Sequence, residues 1–232
     1  MNVIDKTLYR TVMNATTHLF FGEPLTPAEL DELTTWILAH QNRRRGFVFC
    51  PTAAERQQGI RLFSGEKPQT MLATDNAVEM ETLRLLALLQ PEAPEVRLLF
   101  EMAERRLSDV CYGRVCSKGE CAHASISVLR YHTARGAGNS AGMIVRGLDA
   151  LRQDRTGKGH WHTFPFYYTL LWLTELHDGA VENGLGESAH TELSYARGRC
   201  ERLLPRTRDG LPEKPFDRVR AKILHDALVR VG

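Results

Sequence analysis

Three cysteines and a histidine lie close together in the middle of the chain. They are Cys111, Cys116, Cys121 and His123, with the spacing Cys-x4-Cys-x4-Cys-x-His. Thiolate sulfur and imidazole nitrogen are the ligands that tetrahedral zinc prefers, and spacings of this order let one loop wrap around one ion. We therefore predict a zinc site formed by these four residues. The alternative is a long polar loop with incidental thiols.

A second candidate group precedes an aromatic segment, where His160-Trp161-His162 is followed by Tyr167 and Trp172. Two histidines in one turn can face the same cavity, as ligands or as a general base, with the aromatic rings as an apolar wall. We take His160 and His162 as catalytic candidates, and Tyr167 and Trp172 as ligand-binding candidates. The alternative is that Trp161 wedges between adjacent hairpins, the histidines are solvated and the aromatic rings belong to the core.

Arg84 and Arg130 each follow a leucine in a strongly apolar segment. An arginine on an apolar helix is costly to bury unless it is paired. Both side chains could point into a central cavity and bind a diphosphate or a carboxylate, so they are further ligand-binding candidates. The alternative is that each pairs with a structural acid such as Glu79 or Glu81.

The segments that carry these residues have helical periodicity, and the only hint of a strand, at 46–49, is too short to define one. We predict an all-α fold in which buried inner helices alternate with amphipathic outer helices. The inner helices are predicted at 76–90, 123–134 and 165–176, and the outer helices at 27–41, 94–107, 140–152 and 187–204. Further helices are predicted at about 4–20 and 217–231.

The predicted domain organisation follows from these segments. Residues 1–204 form an α-hairpin repeat domain, in which about 1–26 is an N-terminal helix and 27–204 contains the repeats. A proline-containing linker follows at 205–216, and residues 217–232 form a C-terminal capping helix.

Two stretches carry a resemblance to a known superfamily. Arg146-Gly147…Gln153…Gly159-His160-Trp161 resembles the QW repeat of triterpene cyclases. Trp36-Ile-Leu-Ala-His-Gln-Asn…Gly46-Phe47 resembles the outer helix and glycine loop of a protein prenyltransferase repeat. Over about 27–204 the chain thus resembles the α/α-toroid superfamily of prenyltransferase β-subunits and of squalene, terpenoid and lanthionine cyclases. The resemblance implies α/α-toroid-like helical-hairpin repeats, in a partial or open ring because the chain has fewer hairpins than a complete toroid.

The resemblance also bears on the site. Asp109-Val110-Cys111-Tyr112 is similar to the Asp-x-Cys-Tyr element with which protein prenyltransferases hold zinc together with a later histidine. This implies Asp109 as a further catalytic candidate, with His160 or His162 as the later histidine. The sequence has no Asp-x-Asp-Asp of triterpene cyclases, no Asp-Asp-x-x-Asp for magnesium diphosphate and no Cys-His-Gly of lanthionine cyclases.

The expected function is that of a prenyltransferase-like or terpenoid-cyclase-like protein that depends on zinc and binds or acts on an isoprenoid-type or other apolar anionic ligand. In a toroid, the loops before the three inner helices gather at one end. We therefore expect a pocket there, lined by His123, His162, Tyr167 and Trp172. The alternative function is a non-catalytic helical-repeat scaffold for a protein partner, with an incidental or structural metal site.

Composition sets the remaining expectations. An apolar content of 43% and a charged content of 25% are ordinary for a soluble globular protein, and a net charge of +2 predicts no nucleic-acid partner. No apolar run is long enough to span a membrane, and the N-terminus lacks a signal-peptide pattern, so we expect a cytoplasmic protein. The inner helices that an open ring would expose predict a homo-oligomer.

Overall fold

The computed structural model describes residues 3–136, 140–179, 184–204 and 215–232, and the regular secondary structure of these residues is helical, with no strand. The all-α prediction is confirmed. The α-helices are α1 Leu8–Phe20, α2 Pro27–Ala39, α3 Ala53–Gln58, α4 Met71–Leu89, α5 Pro94–Ser108, α6 Cys121–Ala134, α7 Ala141–Gln153, α8 Phe166–Gly179, α9 Leu185–Leu203 and α10 Pro215–Val229. A 3₁₀ helix, Cys111–Arg114, lies between α5 and α6.

Local sequence explains where several helices begin. Thr26 and Glu29 form a capping box at the start of α2, and Thr52 and Glu55 form another at α3. In both, the threonine hydroxyl accepts a backbone N–H of the first turn while the glutamate carboxylate accepts the N–H of the threonine. Thr70 caps α4 through the N–H of Ala73, so α4 begins five residues before the sequence predicts.

The three apolar helices α4, α6 and α8 lie side by side in that order. Asn76 of α4 donates to the carbonyl of Ala124 in α6 over 3.1 Å, and further along Glu81 of α4 meets Arg130 of α6. On the other side, Trp172 of α8 donates to the hydroxyl of Thr133 in α6 over 3.0 Å. The residue numbers of the contacting pairs increase along both α4 and α6, so these two helices run in the same direction.

The amphipathic helices cover this inner layer. α5 packs on α4, α7 on α6 and α9 on both α7 and α8, while α10 packs on α8 and α9. A close approach occurs at Gly147 of α7, where an added Cβ would lie 2.7 Å from a methyl of Leu129 and 3.0 Å from the ring of Trp172. The sequence therefore needs glycine here, because any side chain would force α7 away from α6 and α8.

Buried charge joins the inner helices. Arg130, which is 1% exposed, donates to Glu81 of α4 and to Glu175 of α8, and Arg84 of α4 also donates to Glu175. The hydroxyl of Tyr168 donates to Glu81. Two arginines and two glutamates thus form one neutral cluster that spans all three apolar helices.

Several sequence expectations differ from the structure or lie outside it. α3 and the 3₁₀ helix were not predicted. No strand forms at 46–49, where Phe47 makes an isolated bridge with Arg44. Most of the predicted linker, 205–214, lies outside the described residues, so the domain division stays a prediction, as does the toroid arrangement. None of the described helices is both long and apolar enough to cross a membrane.

We predict that Arg130→Ala lowers the free energy of unfolding by about 3 kcal/mol or more, because it leaves the buried Glu81 and the half-buried Glu175 with a single arginine, Arg84, between them. The matched control is Arg152→Ala, which removes an arginine about half exposed and paired with Asp149. That loss should be about 1 kcal/mol or less. Urea unfolding followed by circular dichroism measures both, and equal losses would contradict a structural role for the buried cluster.

Candidate metal centre

The structure brings three of the four predicted metal ligands together. The Sγ atoms of Cys111, Cys116 and Cys121 all lie within 4.8 Å of one another, and those of Cys111 and Cys121 are 3.6 Å apart. Cys111 opens the 3₁₀ helix, Cys116 lies in the loop that follows, and Cys121 is the first residue of α6. Three sulfur atoms this close can hold one metal ion.

The loop is held in shape by α6 and by its own backbone. The buried hydroxyl of Ser125 accepts the N–H of Cys116 over 2.9 Å and lies 3.0 Å from the carbonyl oxygen of Cys116. Val115, immediately before Cys116, has a φ of 64°, which is costly for a β-branched residue. Gly113 has no space for a side chain, because a Cβ there would meet the carbonyl oxygen of Leu107 at 2.0 Å.

The protonation of the thiols depends on whether they bind a cation. Burial, and then the neighbouring Cys111, raise the pKa of the Cys121 thiol to about 12. Without a cation, the cluster therefore keeps a proton on this sulfur at neutral pH. A bound divalent cation would release protons, because thiolate and not thiol is the ligand.

His123 is not part of the cluster, contrary to the sequence prediction. Among the described residues, the grouped ligand atoms are those of the three cysteines alone. The reason is helical geometry: Cys121 and His123 both belong to α6, and residues two apart project from nearly opposite sides of a helix. The His123 Nδ1 is buried without a hydrogen-bond partner, and burial lowers the pKa of the ring.

The thiols border a surface cavity of about 490 Å³. Its walls include Cys111 and Cys116 together with the charged residues Asp109, Arg114 and Lys118. Asp109 is exposed, and its carboxylate accepts a hydrogen bond from Ser108 over 3.3 Å. The structure thus places this catalytic candidate beside the thiols, although its oxygens are outside the group that could hold an ion.

Comparison with protein-family models, with curated proteins and with solved structures finds no match to this chain. The functional argument therefore depends on the geometry of the chain itself.

The histidines of the 154–163 loop lie elsewhere. Nδ1 of His160 is 3.1 Å from the hydroxyl of Thr156 and 3.3 Å from a guanidinium nitrogen of Arg199, so that loop uses it internally. His162 is exposed. Trp161 is buried between the loop and α9, where its Nε1 donates to Glu192, in agreement with the wedge interpretation.

The expected pocket of His123, His162, Tyr167 and Trp172 is not assembled. Trp172 is fully buried and bonded to Thr133, whereas His162 faces solvent, so the two do not share a cavity wall. Tyr167 packs under Arg220, whose guanidinium carbon is 4.9 Å from the ring centre. The apolar residues of α8 fill the core instead, as the alternative interpretation of the aromatic segment stated.

Arg84 and Arg130 also follow their structural alternative. Their guanidinium groups are bound by Glu81 and Glu175 within the buried cluster. A guanidinium whose charge is matched in this way has little left to offer an anionic ligand. Sequence reasoning named Glu81 as a partner but missed Glu175, which lies on another apolar helix.

Sequence reasoning also missed His132, on the last turn of α6. Its Nδ1 lies 2.9 Å from the hydroxyl of Ser140, and its Nε2 is buried with no hydrogen-bond partner. Burial, with a smaller contribution from Arg135, lowers the pKa of His132 to about 4. The available signal was a titratable residue within a helix that the sequence predicts to be buried.

We predict that His132 makes the protein less stable in acid. Its folded pKa of about 4 is below the unfolded value of 6.5, so the unfolded chain binds the proton more tightly. The stability that the protein gains from neutral His132 is fully present above about pH 6.5 and is lost as the pH falls towards 4. The total loss is roughly 3 kcal/mol. Urea unfolding at pH 7 and pH 4 should show a smaller loss in His132→Gln than in the wild-type protein. The control is His162→Gln, at an exposed position, which should lose as much stability between pH 7 and pH 4 as the wild-type protein. If His132→Gln also loses as much as the wild type, the acid sensitivity does not come from His132.

Proposed function

We propose that this chain is a zinc protein in which the thiolates of Cys111, Cys116 and Cys121 hold the ion and leave one coordination position open. The observation that carries the proposal is the approach of the three sulfur atoms to within 4.8 Å of one another. Structural zinc sites are usually closed by four protein ligands, whereas catalytic sites combine three with an open position. A three-cysteine centre at the edge of a cavity fits the catalytic pattern.

The surroundings of the thiols support a role in binding a substrate. When bound, zinc supplies a Lewis acid that lowers the pKa of a water or thiol in the open position. The chain adds Arg114 and Lys118, two cations on the same cavity that would attract and orient an anionic group. Asp109 adds a carboxylate that can accept a proton from a group entering the cavity.

The class of reaction in this proposal comes from the resemblance to protein prenyltransferases. It favours a thiol as the activated group, and an isoprenoid-type or other apolar anionic molecule as the second reactant. The alternation of the apolar helices α4, α6 and α8 with the amphipathic helices α5, α7 and α9 supports this resemblance. In the competing interpretation, the chain is a scaffold for a protein partner and the thiols are structural or incidental.

We predict that the purified, untagged protein contains about one zinc ion per chain. Cys116→Ser and Cys121→Ser should each release the ion, because a hydroxyl is a poor substitute for thiolate sulfur. Cys200→Ala is the control, since this buried thiol lies in α9 outside the cluster. Elemental analysis measures the content. Zinc-free wild-type protein, or full zinc in both serine variants, would leave the thiols as incidental.

We further predict that the coordination position is open. In protein loaded with Co²⁺ instead of zinc, adding a small thiol should change the visible absorption spectrum, because the thiol enters the open position. A four-ligand structural centre would have no such position. A spectrum that stays constant with added thiol, in protein that holds one Co²⁺ per chain, would exclude the catalytic interpretation and favour structural zinc.

A further inference from the structure

A second cavity, of about 670 Å³, lies between α5, α6, α7 and the 3₁₀ helix. Leu107 of α5 and Met143 of α7 give it an apolar side. Its polar side contains Glu104, Arg114, His132 and Arg146. A cavity of this size with a few polar groups on an apolar wall is typical of small-molecule sites.

His132 is the buried polar group of this cavity. His132 is only 7% exposed. Its Nδ1 is hydrogen-bonded to Ser140, and its Nε2 has no hydrogen-bond partner. When the Ser140 hydroxyl donates to Nδ1, the neutral ring carries its proton on Nε2. A buried donor without an acceptor is unfavourable. Because Nε2 has almost no accessible surface, a ligand oxygen would satisfy it only after the side chains that cover it move aside.

The cavity also has two arginines without a carboxylate partner. Both are exposed residues, so their charged groups are accessible to a ligand from solvent. Arg114 donates to the carbonyl oxygen of Ser108, over 2.6 Å and 3.1 Å. No described acid is within ion-pair distance of Arg114 or of Arg146. Glu104, the acid of this cavity, is 3.4 Å from Arg135. The cavity therefore has an excess of positive charge.

We propose that this cavity binds a small organic anion, a carboxylate or a phosphate monoester. Arg114 and Arg146 hold the anionic oxygens, Nε2 of His132 donates a hydrogen bond to the same molecule, and the apolar part of the ligand lies against Leu107 and Met143. Guanidinium groups suit this role because their planar array of donors matches the oxygens of carboxylate and phosphate. The proposal goes beyond the zinc centre and stands on different residues, apart from Arg114, which lines both cavities.

The experiment is a titration of the full-length protein with phenyl phosphate, benzoate and inorganic phosphate. Binding is measured by calorimetry and by the ¹⁵N resonances of the His132 ring. We expect one saturable site for an aromatic anion, with a shift of the Nε2 resonance. The comparison of phenyl phosphate with benzoate separates phosphate from carboxylate recognition. Weaker binding of inorganic phosphate would show the contribution of the apolar wall.

Two variants make the test specific. Arg146→Gln should weaken binding about tenfold, the effect of losing about 1.4 kcal/mol of charged hydrogen bonding. Arg105→Gln is the matched control, because it removes an exposed arginine of α5 outside the cavity and changes the net charge equally. Equal weakening by both variants would overturn the proposal, since it would mean general charge attraction.

Two further results would overturn it. One is the absence of saturable binding for all three anions, and the other is binding that leaves the Nε2 resonance unchanged. Repeating the titration with Cys116→Ser separates this proposal from the zinc centre. The anion should still bind to that variant, and binding that requires the cysteine cluster would place the anion at the metal instead.

Discussion

The buried guanidinium of Arg130 is the interaction on which the arrangement of the apolar helices depends. It lies in the C-terminal half of α6 and bridges Glu81 of α4 to Glu175 of α8. Burial alone would raise the pKa of Glu175, but the charges of Arg130 and Arg84 outweigh it and lower the pKa. Taking these charges out of water is costly, and only good geometry compensates for it. Apolar contacts tolerate small sliding movements between helices, whereas this charge pairing is satisfied in one register.

Fixing α6 in this way determines the position of both candidate sites. The N-terminal end of α6 supplies Cys121, and one turn later Ser125, whose hydroxyl holds the loop that carries Cys116. The C-terminal end supplies His132 to the cavity beside α7. The 3₁₀ helix links the two, because Cys111 at its start belongs to the thiol cluster and Arg114 at its end lines both cavities. A shift of α6 would disturb the thiols and the anion site together.

Sequence could predict the features that depend on near neighbours, and it failed for those that depend on distant contacts. Helical periodicity located the apolar helices, and close spacing identified the three thiols. The same spacing wrongly added His123, because a short sequence separation does not imply a shared side of a helix. The partnership of Arg130 with Glu175 joins two helices that only folding brings together. The separation of His162 from Trp172 likewise follows from the burial of α8, which no local pattern specifies.

The thiol loop contains two unfavourable features that a bound cation would compensate together. Val115 adopts a φ of 64°, and the pKa of Cys121 is raised by burial and by its neighbouring thiol. An ordinary surface loop has no need of such conformations. Pairing two of the thiols would leave the third alone, because the number is odd, whereas one divalent cation engages all three sulfur atoms and balances the charge that keeps protons on them. The same cation would secure the N-terminal end of α6, while Arg130 secures its C-terminal half.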